Sequence, residues 1–419
     1  MRMQAKEELL TTIQSIEARP EQRLLAVSDI HGHPDRLKRL LEQMHYGSDD
    51  ILIIVGDLIE KGPKSLQVVQ YVMDLCRQHP VYVSMGNVEQ YRLQLLMNAL
   101  AADCGEGSTD CRIKSKDSTD GMKSEDGTDG GRTEQNPHIM ELLEFLRWAA
   151  GAWGSSLFQE MLAEMGVPVN ELTDENVAEH MSRMREQFRK ELDFLWSRPT
   201  ILTAGDYLFV HGGVPTDDLS ALAGSPAVPY LKNDNFRNQG YSFSRYTVVT
   251  GHWPTFLYRP EEENGSPLFD RERRILCIDG GCGLKYAGQL NGIMIPGCNA
   301  GIDEISWTFC DDFPVITALD AQSSEAASVH IQYFDNVVEL LQEEGDMARV
   351  RQSSTGKEFE APREFLNRWH QDDRLRCSDY CDARLEVTRG EKLSLILEAG
   401  GKYYVKNRMG KIGWYEGAV

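Results

Sequence analysis

Asp29 and His31 stand two residues apart, just past the apolar run Leu24-Leu25-Ala26-Val27, with Gly32 directly behind them. A carboxylate and an imidazole at that spacing, on a chain that has just left a strand, can point at one cation. The same arrangement recurs. Ile51-Leu52-Ile53-Ile54-Val55 runs into Gly56-Asp57, the run at 81–85 into Gly86-Asn87, Tyr207-Leu208-Phe209-Val210 into His211-Gly212-Gly213, and Thr247-Val248-Val249-Thr250 into Gly251-His252. Each of these five runs ends in a metal-competent side chain next to a glycine, where the backbone can turn sharply and approach an ion closely. A lone Asp-x-His means little, because both residues are common in loops. Five such strand ends in one chain are more than a coincidence of turns.

The elements that must position these residues follow from the same runs. Short apolar runs closed by turn residues read as buried strands, and ligands gather at the carboxyl ends of strands in open α/β sheets. Residues 21–90 alternate strand, helix, strand, helix, strand in the βαβ manner. The helix expected at 34–45 carries Leu37, Leu40, Leu41 and Met44 on one face, and the next, at 64–78, opens after Pro63. A further helix continues through 90–100. Over 102–137 the chain holds almost no apolar residue and repeats Ser, Asp, Gly and Thr. Such a stretch cannot bury enough surface to order itself, so a flexible insert is expected there. Helical pattern returns at 138–150 and 173–197, giving a helical cap over 138–197. Strands are expected again at 201–204, 207–210, 246–250, 275–278 and 290–295. Residues 1–22 read as a short amphipathic N-terminal helix ending near Pro20.

As a set, DxH at 29–31, GD at 56–57, GN at 86–87, HGG at 211–213 and GH at 251–252 resemble the calcineurin-like metallophosphoesterase superfamily. The words LFVHGGVP and VVTGHWPT are most similar to its bacterial phosphoprotein phosphatase branch, to which diadenosine-tetraphosphate hydrolases also belong. The resemblance covers roughly residues 23–300 and places a catalytic domain at 23–314. It implies an α/β (α+β) fold, a β-sandwich flanked by helices. It also implies two divalent metal ions, manganese first, with iron or zinc also suited to mixed nitrogen and oxygen ligands. By that resemblance Asp29 and His31 hold one ion, Asp57 bridges the two, and Asn87, His211 and His252 complete the pair. The implied reaction is hydrolysis of a phosphate ester, in a phosphoprotein or a small molecule, by a metal-bound hydroxide. Dinucleoside polyphosphates and phosphodiesters are the alternative substrates.

Three positions depart from the family's pattern. GDxxDRG reads here as Gly56-Asp57-Leu58-Ile59-Glu60-Lys61-Gly62, and GNHE as Gly86-Asn87-Val88-Glu89. Val88 stands where the family carries the histidine that protonates the leaving oxygen, and Glu60 where it carries the aspartate orienting that histidine. Lys61 stands where an arginine clamps phosphate. Loss of a general acid typically costs about 10²–10⁴-fold, and lysine keeps the charge but loses the two-pronged geometry. Activity should therefore survive best on leaving groups of low pKa, such as aryl phosphates or anhydrides. Arg237, between the HGG and GH motifs, is a candidate replacement clamp. His33 is a candidate proton donor, although a supporting role is the plainer reading. The competing reading is a catalytically impaired scaffold that holds metal and binds partners through its C-terminal part.

That part begins near residue 315, where composition changes. Stretches 337–366 and 392–419 look alike: an apolar strand, an acidic-glycine turn, an alternating strand, a Gly-Lys turn and an aromatic close. This weak repeat resembles small bacterial Src-homology-3-like β-barrels, expected at 329–370 and 374–419, whose ligand would be a peptide or protein partner. The net charge of −21 argues against nucleic acid or an anionic membrane as a partner. No apolar run nears the ~20 residues of a membrane span, and the N-terminus has no apolar signal core. A cytoplasmic protein acting on a phosphorylated substrate is expected. Nine cysteines at irregular spacings read as reduced thiols rather than a zinc site.

Overall fold

The apolar runs are continuous rather than alternating because their strands are covered on both faces. The computed structural model describes residues 9–101, 137–368 and 373–419. Strands β1 (Ile13–Ser15), β2 (Leu24–Val27), β3 (Ile51–Val55), β4 (Val81–Ser84), β5 (Ile201–Ala204) and β6 (Tyr207–Val210) are followed by β7 (Thr247–Thr250), β8 (Leu268–Asp270), β9 (Ile275–Cys277), β10 (Leu290–Ile295) and β11 (Ser306–Cys310). They form two sheets, ordered β11-β10-β2-β3-β4 and β1-β5-β6-β7-β9-β8. Within the first, β2, β3 and β4 are parallel; within the second, β6, β7 and β9 are parallel. Each sheet therefore presents a row of carboxyl ends on one side.

Leu24, Ile53, Val55, Leu202, Phe209, Val249 and Leu276 meet between the sheets. On the outer face of the first, Leu25, Val27, Leu52 and Ile54 pack with α1 (Pro34–Gln43), α2 (Ser65–Gln78) and α3 (Asn87–Ala101). On the outer face of the second, Leu208, Val210 and Val248 meet Leu222 from a one-turn helix, Phe236 from a 3-10 turn and Phe243 from a loop. At about 1.5–3 kcal/mol for each fully buried aliphatic side chain, this double burial makes the two sheets a stiff frame. Helices α4 (Pro137–Ala152), α5 (Leu157–Glu164), α6 (Val177–Gln187) and α7 (Arg189–Trp196) extend the helical side, adding Leu146, Phe158, Met181 and Leu192 to the same core. Of these, α5 lies within the expected cap but between its two periodic stretches; the Ser156 hydroxyl caps it by accepting the Gln159 N–H. The helix expected over 173–197 breaks at Phe188. The expected insert at 102–137 falls outside the described residues, apart from Pro137, which opens α4.

Two expectations are corrected. Residues 9–22 hold no helix: β1 pairs in parallel with β5, Ile13 opposite Ile201. A strand partner nearly 190 residues away overrides a weak local helical pattern. The tail forms small open sheets, with no closed barrel among the described residues. Its strands are β12 (Val315–Thr317), β13 (His330–Ile331), β14 (Val338–Glu344), β15 (Met347–Gln352), β16 (Glu358–Pro362) and β17 (Leu366–Arg368), then β18 (Leu375–Cys377), β19 (Tyr380–Cys381), β20 (Lys392–Ala399), β21 (Lys402–Lys406) and β22 (Ile412–Tyr415). Pairing crosses the expected boundary, since β17 pairs with β18 and β13 with β19, while β12 joins β20-β21-β22. One core, with Val350, Phe359, Phe365, Tyr380, Tyr404 and Trp414, serves both halves. The repeat itself is present: β14-β15 carries a bulge between Leu340 and Gln342, and β20-β21 carries one between Leu395 and Leu397, equally far from their turns.

The tail is docked on the two-sheet part through a buried pair. His330 Nε2 lies 2.8 Å from Glu263 Oε2, and its Nδ1 donates to the Pro260 carbonyl at 2.7 Å. Burial opposes the imidazolium, but the Glu263 carboxylate outweighs it and raises the His330 pKa. A histidine raised in the folded state stabilises below its unfolded pKa and loses that contribution as pH rises through the folded value. The stability difference between the wild type and His330→Asn should thus be fully present below the unfolded histidine's value of about 6.5 and shrink as pH rises through the higher folded value. Thermal unfolding across that range tests this; a difference independent of pH would refute an ionic pair.

Candidate metal centre

The carboxyl ends of β2, β3, β6 and β7 and the N-terminus of α3 converge. Asp29, His31, Asp57 and His252 have φ of +54°, +47°, +52° and +67°. These left-handed conformations are uncommon for residues with a Cβ. Four in one place mean that the sheet frame holds the backbone turned so that the side chains share a focus. Glycines permit the approach: a Cβ on Gly86 would run into Asp57, and one on Gly251 into Asp29 Oδ2.

His31 Nδ1 faces the Ile59 carbonyl at 3.0 Å, and His211 Nδ1 faces the Val55 carbonyl at 2.9 Å. A carbonyl only accepts, so both Nδ1 atoms donate and both Nε2 atoms turn to the focus. His31 Nε2 lies 3.6 Å from Asp57 Oδ2 and 3.8 Å from Asp29 Oδ1, and His211 Nε2 lies 3.3 Å from Asp57 Oδ1. Asn87 Oδ1 is 3.0 Å from His211 Nε2 and 2.9 Å from His252 Nδ1. The other His252 nitrogen is held by Asp234 Oδ1 at 2.7 Å. Asp29, Asp57 and His211 each offer a ligand atom, all within 4.8 Å of one another.

Electrostatics describe the same focus. Burial, then the neighbouring Asp279 charge, push the Asp29 carboxyl well up, and burial lifts Asp279 to about 6. Burial works against charge on His211, but Asp57 and Asp29 raise it to about 10. Burial likewise opposes the Asp57 carboxylate, yet His211 and His31 hold it well below the ordinary range. Burial and the Lys61 ammonium depress His31 to about 3, and Lys61 Nζ sits 3.0 Å from His31 Nε2. Buried carboxylates, imidazole nitrogens and a carboxamide oxygen that face one another fit a divalent cation, and their mixture of nitrogen and oxygen suits manganese, iron or zinc.

Sequence reasoning missed three supporting groups. Glu89 occupies the third position of α3 and accepts four backbone N–H bonds, from Asp57 at 3.0 Å, Leu58 at 2.7 Å, Ile59 at 3.3 Å and Gly86 at 3.0 Å. Its signal was a glutamate three residues after the helix-capping Gly86. Burial, then the Asp57 charge, raise Glu89 to about 7. Asp279 ends the apolar run at 275–278 and precedes Gly280, a sixth strand end of the same kind. Asp234 had no local signal.

The remaining sequence-derived residues divide. Lys61 is at the site. Arg237 is not: its guanidinium meets Asp270 Oδ2 at 3.2 Å. Asp270 registers with Ile275, and Ile275 with Val248, at the opposite end of the sheet from His252. Glu60 turns away from the site, accepting the Leu157 N–H at 3.4 Å and lying 3.7 Å from Arg92. Arg92 in turn stacks 3.8 Å over the Phe145 ring. Val88 is buried in the helical core, and its N–H donates to Asp57 Oδ1 at 3.0 Å. His33 Nδ1 donates to the His31 carbonyl at 2.6 Å, a supporting contact. Beyond Lys61, Asn87 and His252 a cleft of about 490 Å³ opens, whose far wall comes from the C-terminal sheets.

The sequence matches the calcineurin-like phosphoesterase family model over residues 22–281, more than half of the chain. The symmetrical bis(5'-nucleosyl)-tetraphosphatase of Legionella pneumophila (strain Lens) is 40% identical over 74 residues, 17% of this chain and 25% of that protein. The one of Thioalkalivibrio sulfidiphilus is 45% identical over 53 residues, 12% of this chain and 20% of that protein. The chain thus spans a quarter or less of the length of these relatives. Among solved structures, a serine/threonine phosphatase from Saccharomyces cerevisiae aligns with a TM-score of 0.39 at 14% identity, covering 74% of this chain and 86% of that one. A metallophosphoesterase from Sphaerobacter thermophilus aligns with a TM-score of 0.31 at 14% identity, covering 69% and 89%.

Proposed function

This chain belongs to the calcineurin-like phosphoesterase family, and from that premise we propose that it hydrolyses phosphate esters with two divalent cations held by Asp29, His31, Asp57, Asn87, His211 and His252. The observation that carries this reading is the convergence of Asp29, Asp57 and His211 within 4.8 Å of one another. Two ions bound there would spread the charge of the transferring phosphoryl group and acidify water at the site.

The chain's own residues do the rest. Asp57 turns Oδ1 toward His211 and Oδ2 toward His31, the arrangement a bridging carboxylate needs. The Ile59 and Val55 carbonyls hold the tautomers of His31 and His211, and Asp234 orients His252. Lys61 brings an ammonium to the mouth of the site, where it can meet a phosphate oxygen. Val88 has no proton to give, so the leaving oxygen departs as an anion. Substrates with good leaving groups, aryl esters or anhydrides, are favoured. The two relatives named as bis(5'-nucleosyl)-tetraphosphatases point the same way, toward anhydrides. Manganese is the expected metal.

Chelation is expected to abolish para-nitrophenyl phosphate turnover, and Mn²⁺ to restore it. Phenyl phosphate, whose leaving group is more basic, should then react at least about 100-fold more slowly. Assaying both esters, with bis-para-nitrophenyl phosphate alongside, tests this. A second reading, a scaffold that holds metal without turnover, is favoured by Val88 and by Glu60 turning into the helical seam. Bound metal with no turnover on any of the three esters would establish it.

A further inference from the structure

The cleft beside the metal centre has two walls. One carries Lys61, His252 and Trp253; the other, outside the family match, carries Tyr333, Asn336 and Arg376. The walls are tied together. Lys285 pairs with Asp379, the Tyr286 hydroxyl donates to Glu364, and the Tyr286 ring meets Phe365 edge-on at 4.9 Å. The cleft is therefore preformed, and its volume of about 490 Å³ lies in the range of small-molecule sites.

Its lining is specific in three ways. Tyr333 and Tyr286 line the cleft and are 58% and 42% exposed, and Lys285 Nζ lies 5.9 Å from the Tyr333 ring centre. The buried indole nitrogen of Trp253 has no hydrogen-bond partner among the described residues, although a buried indole N–H ordinarily finds one. Finally, Lys61, Lys232, Lys285 and Arg376 gather here in a chain of net charge −21, with Lys232 and Lys285 held by Asp234 and Asp379. Locally the cleft reverses the sign of the whole molecule.

We propose that the C-terminal sheets complete the active site as a leaving-group subsite. In it Tyr333 stacks on the base of a nucleotide and Arg376 meets its phosphate chain. Rings alone would also suit a phosphotyrosine. The Asn336 carboxamide and the Asn367 amide oxygen on the same wall, however, offer a donor and acceptors for a base edge, which a phenyl ring lacks. Several cations also suit a polyphosphate better than a single phosphate. The inference rests on the hydrolase reading for the direction in which the phosphates point. Base recognition can be measured without turnover.

The test is calorimetric titration of the manganese-loaded full chain with methylene-bridged ADP, which resists cleavage, and with methylene diphosphonate, which lacks the base. Tyr333→Ala is expected to weaken the nucleotide about 10-fold, with the diphosphonate weakened far less. Tyr333→Phe should restore nucleotide affinity, and Arg376→Gln should weaken both ligands. Equal affinity of wild type and Tyr333→Ala for the nucleotide would overturn the proposal. So would absence of nucleotide binding, or tighter binding of a phosphotyrosine peptide through Tyr333. Para-nitrophenyl phosphate turnover on the same samples separates the two readings. Turnover without a Tyr333 effect removes the subsite alone, whereas the Tyr333 pattern without turnover removes the hydrolase.

Discussion

Asp57→Asn is expected to lower para-nitrophenyl phosphate turnover by about 10²–10³-fold, the loss typical when a main charge-stabilising group is removed from a buried site. Asp57 lies between two imidazoles, with Oδ1 3.3 Å from His211 Nε2 and Oδ2 3.6 Å from His31 Nε2. The amide keeps the shape and can still accept the Val88 N–H. It removes the anion and turns an N–H₂ toward a nitrogen that should bind metal. Some stability should be lost with it, because, against the opposing effect of burial, His211 and His31 hold the Asp57 carboxylate well below the ordinary range and the amide forfeits that pairing. Metal content, measured by atomic emission, is expected to fall from about two ions per chain to about one or fewer. A variant that keeps both ions and more than about a tenth of its turnover would exclude Asp57 as the bridge.

Glu89→Ala is expected to act first on the fold and only through it on the site. The Glu89 carboxylate is buried and takes the N–H groups of Asp57, Leu58, Ile59 and Gly86. Removing it orphans four buried donors, each at a cost of about 1–3 kcal/mol before relaxation. A net loss of at least about 3 kcal/mol should follow, read as a lowered urea midpoint. The same loop presents Asp57 and the Ile59 carbonyl that orients His31, so metal affinity should fall with stability. Glu89→Gln keeps one acceptor oxygen but sets an N–H₂ against an N–H, and should lie between wild type and alanine. Loss of turnover at unchanged stability would instead make Glu89 a participant in proton transfer.

The candidate metal centre was legible because its determinants are local. An apolar run of three to five residues, followed within a few positions by a glycine and by Asp, Asn or His in either order, specifies a strand end wherever it sits in the chain, and Asp29, Asp57, Asn87, His211 and His252 all obey that rule. Asp279 obeys it too and was overlooked only because its motif is weaker. The continuous apolar character of these runs already required cover on both faces, which the helices and loops supply. The repeat in the tail was legible for the same reason: a bulge and a glycine turn are short-range features, and they recur at Leu340–Gln342 and Leu395–Leu397.

What the sequence determined by itself was the set of strand ends, the candidate ligands at them and the family they resemble. The tertiary structure alone decided which way Glu60 and Arg237 turn, that Ile13–Ser15 becomes an edge strand, and that β17 pairs with β18 across a supposed domain boundary. It also decided that Tyr333 and Arg376 face His252 across one cleft. Strand pairing and ion pairing depend on partners distant in sequence, and no local pattern records which acceptor will lie within reach once the chain has folded.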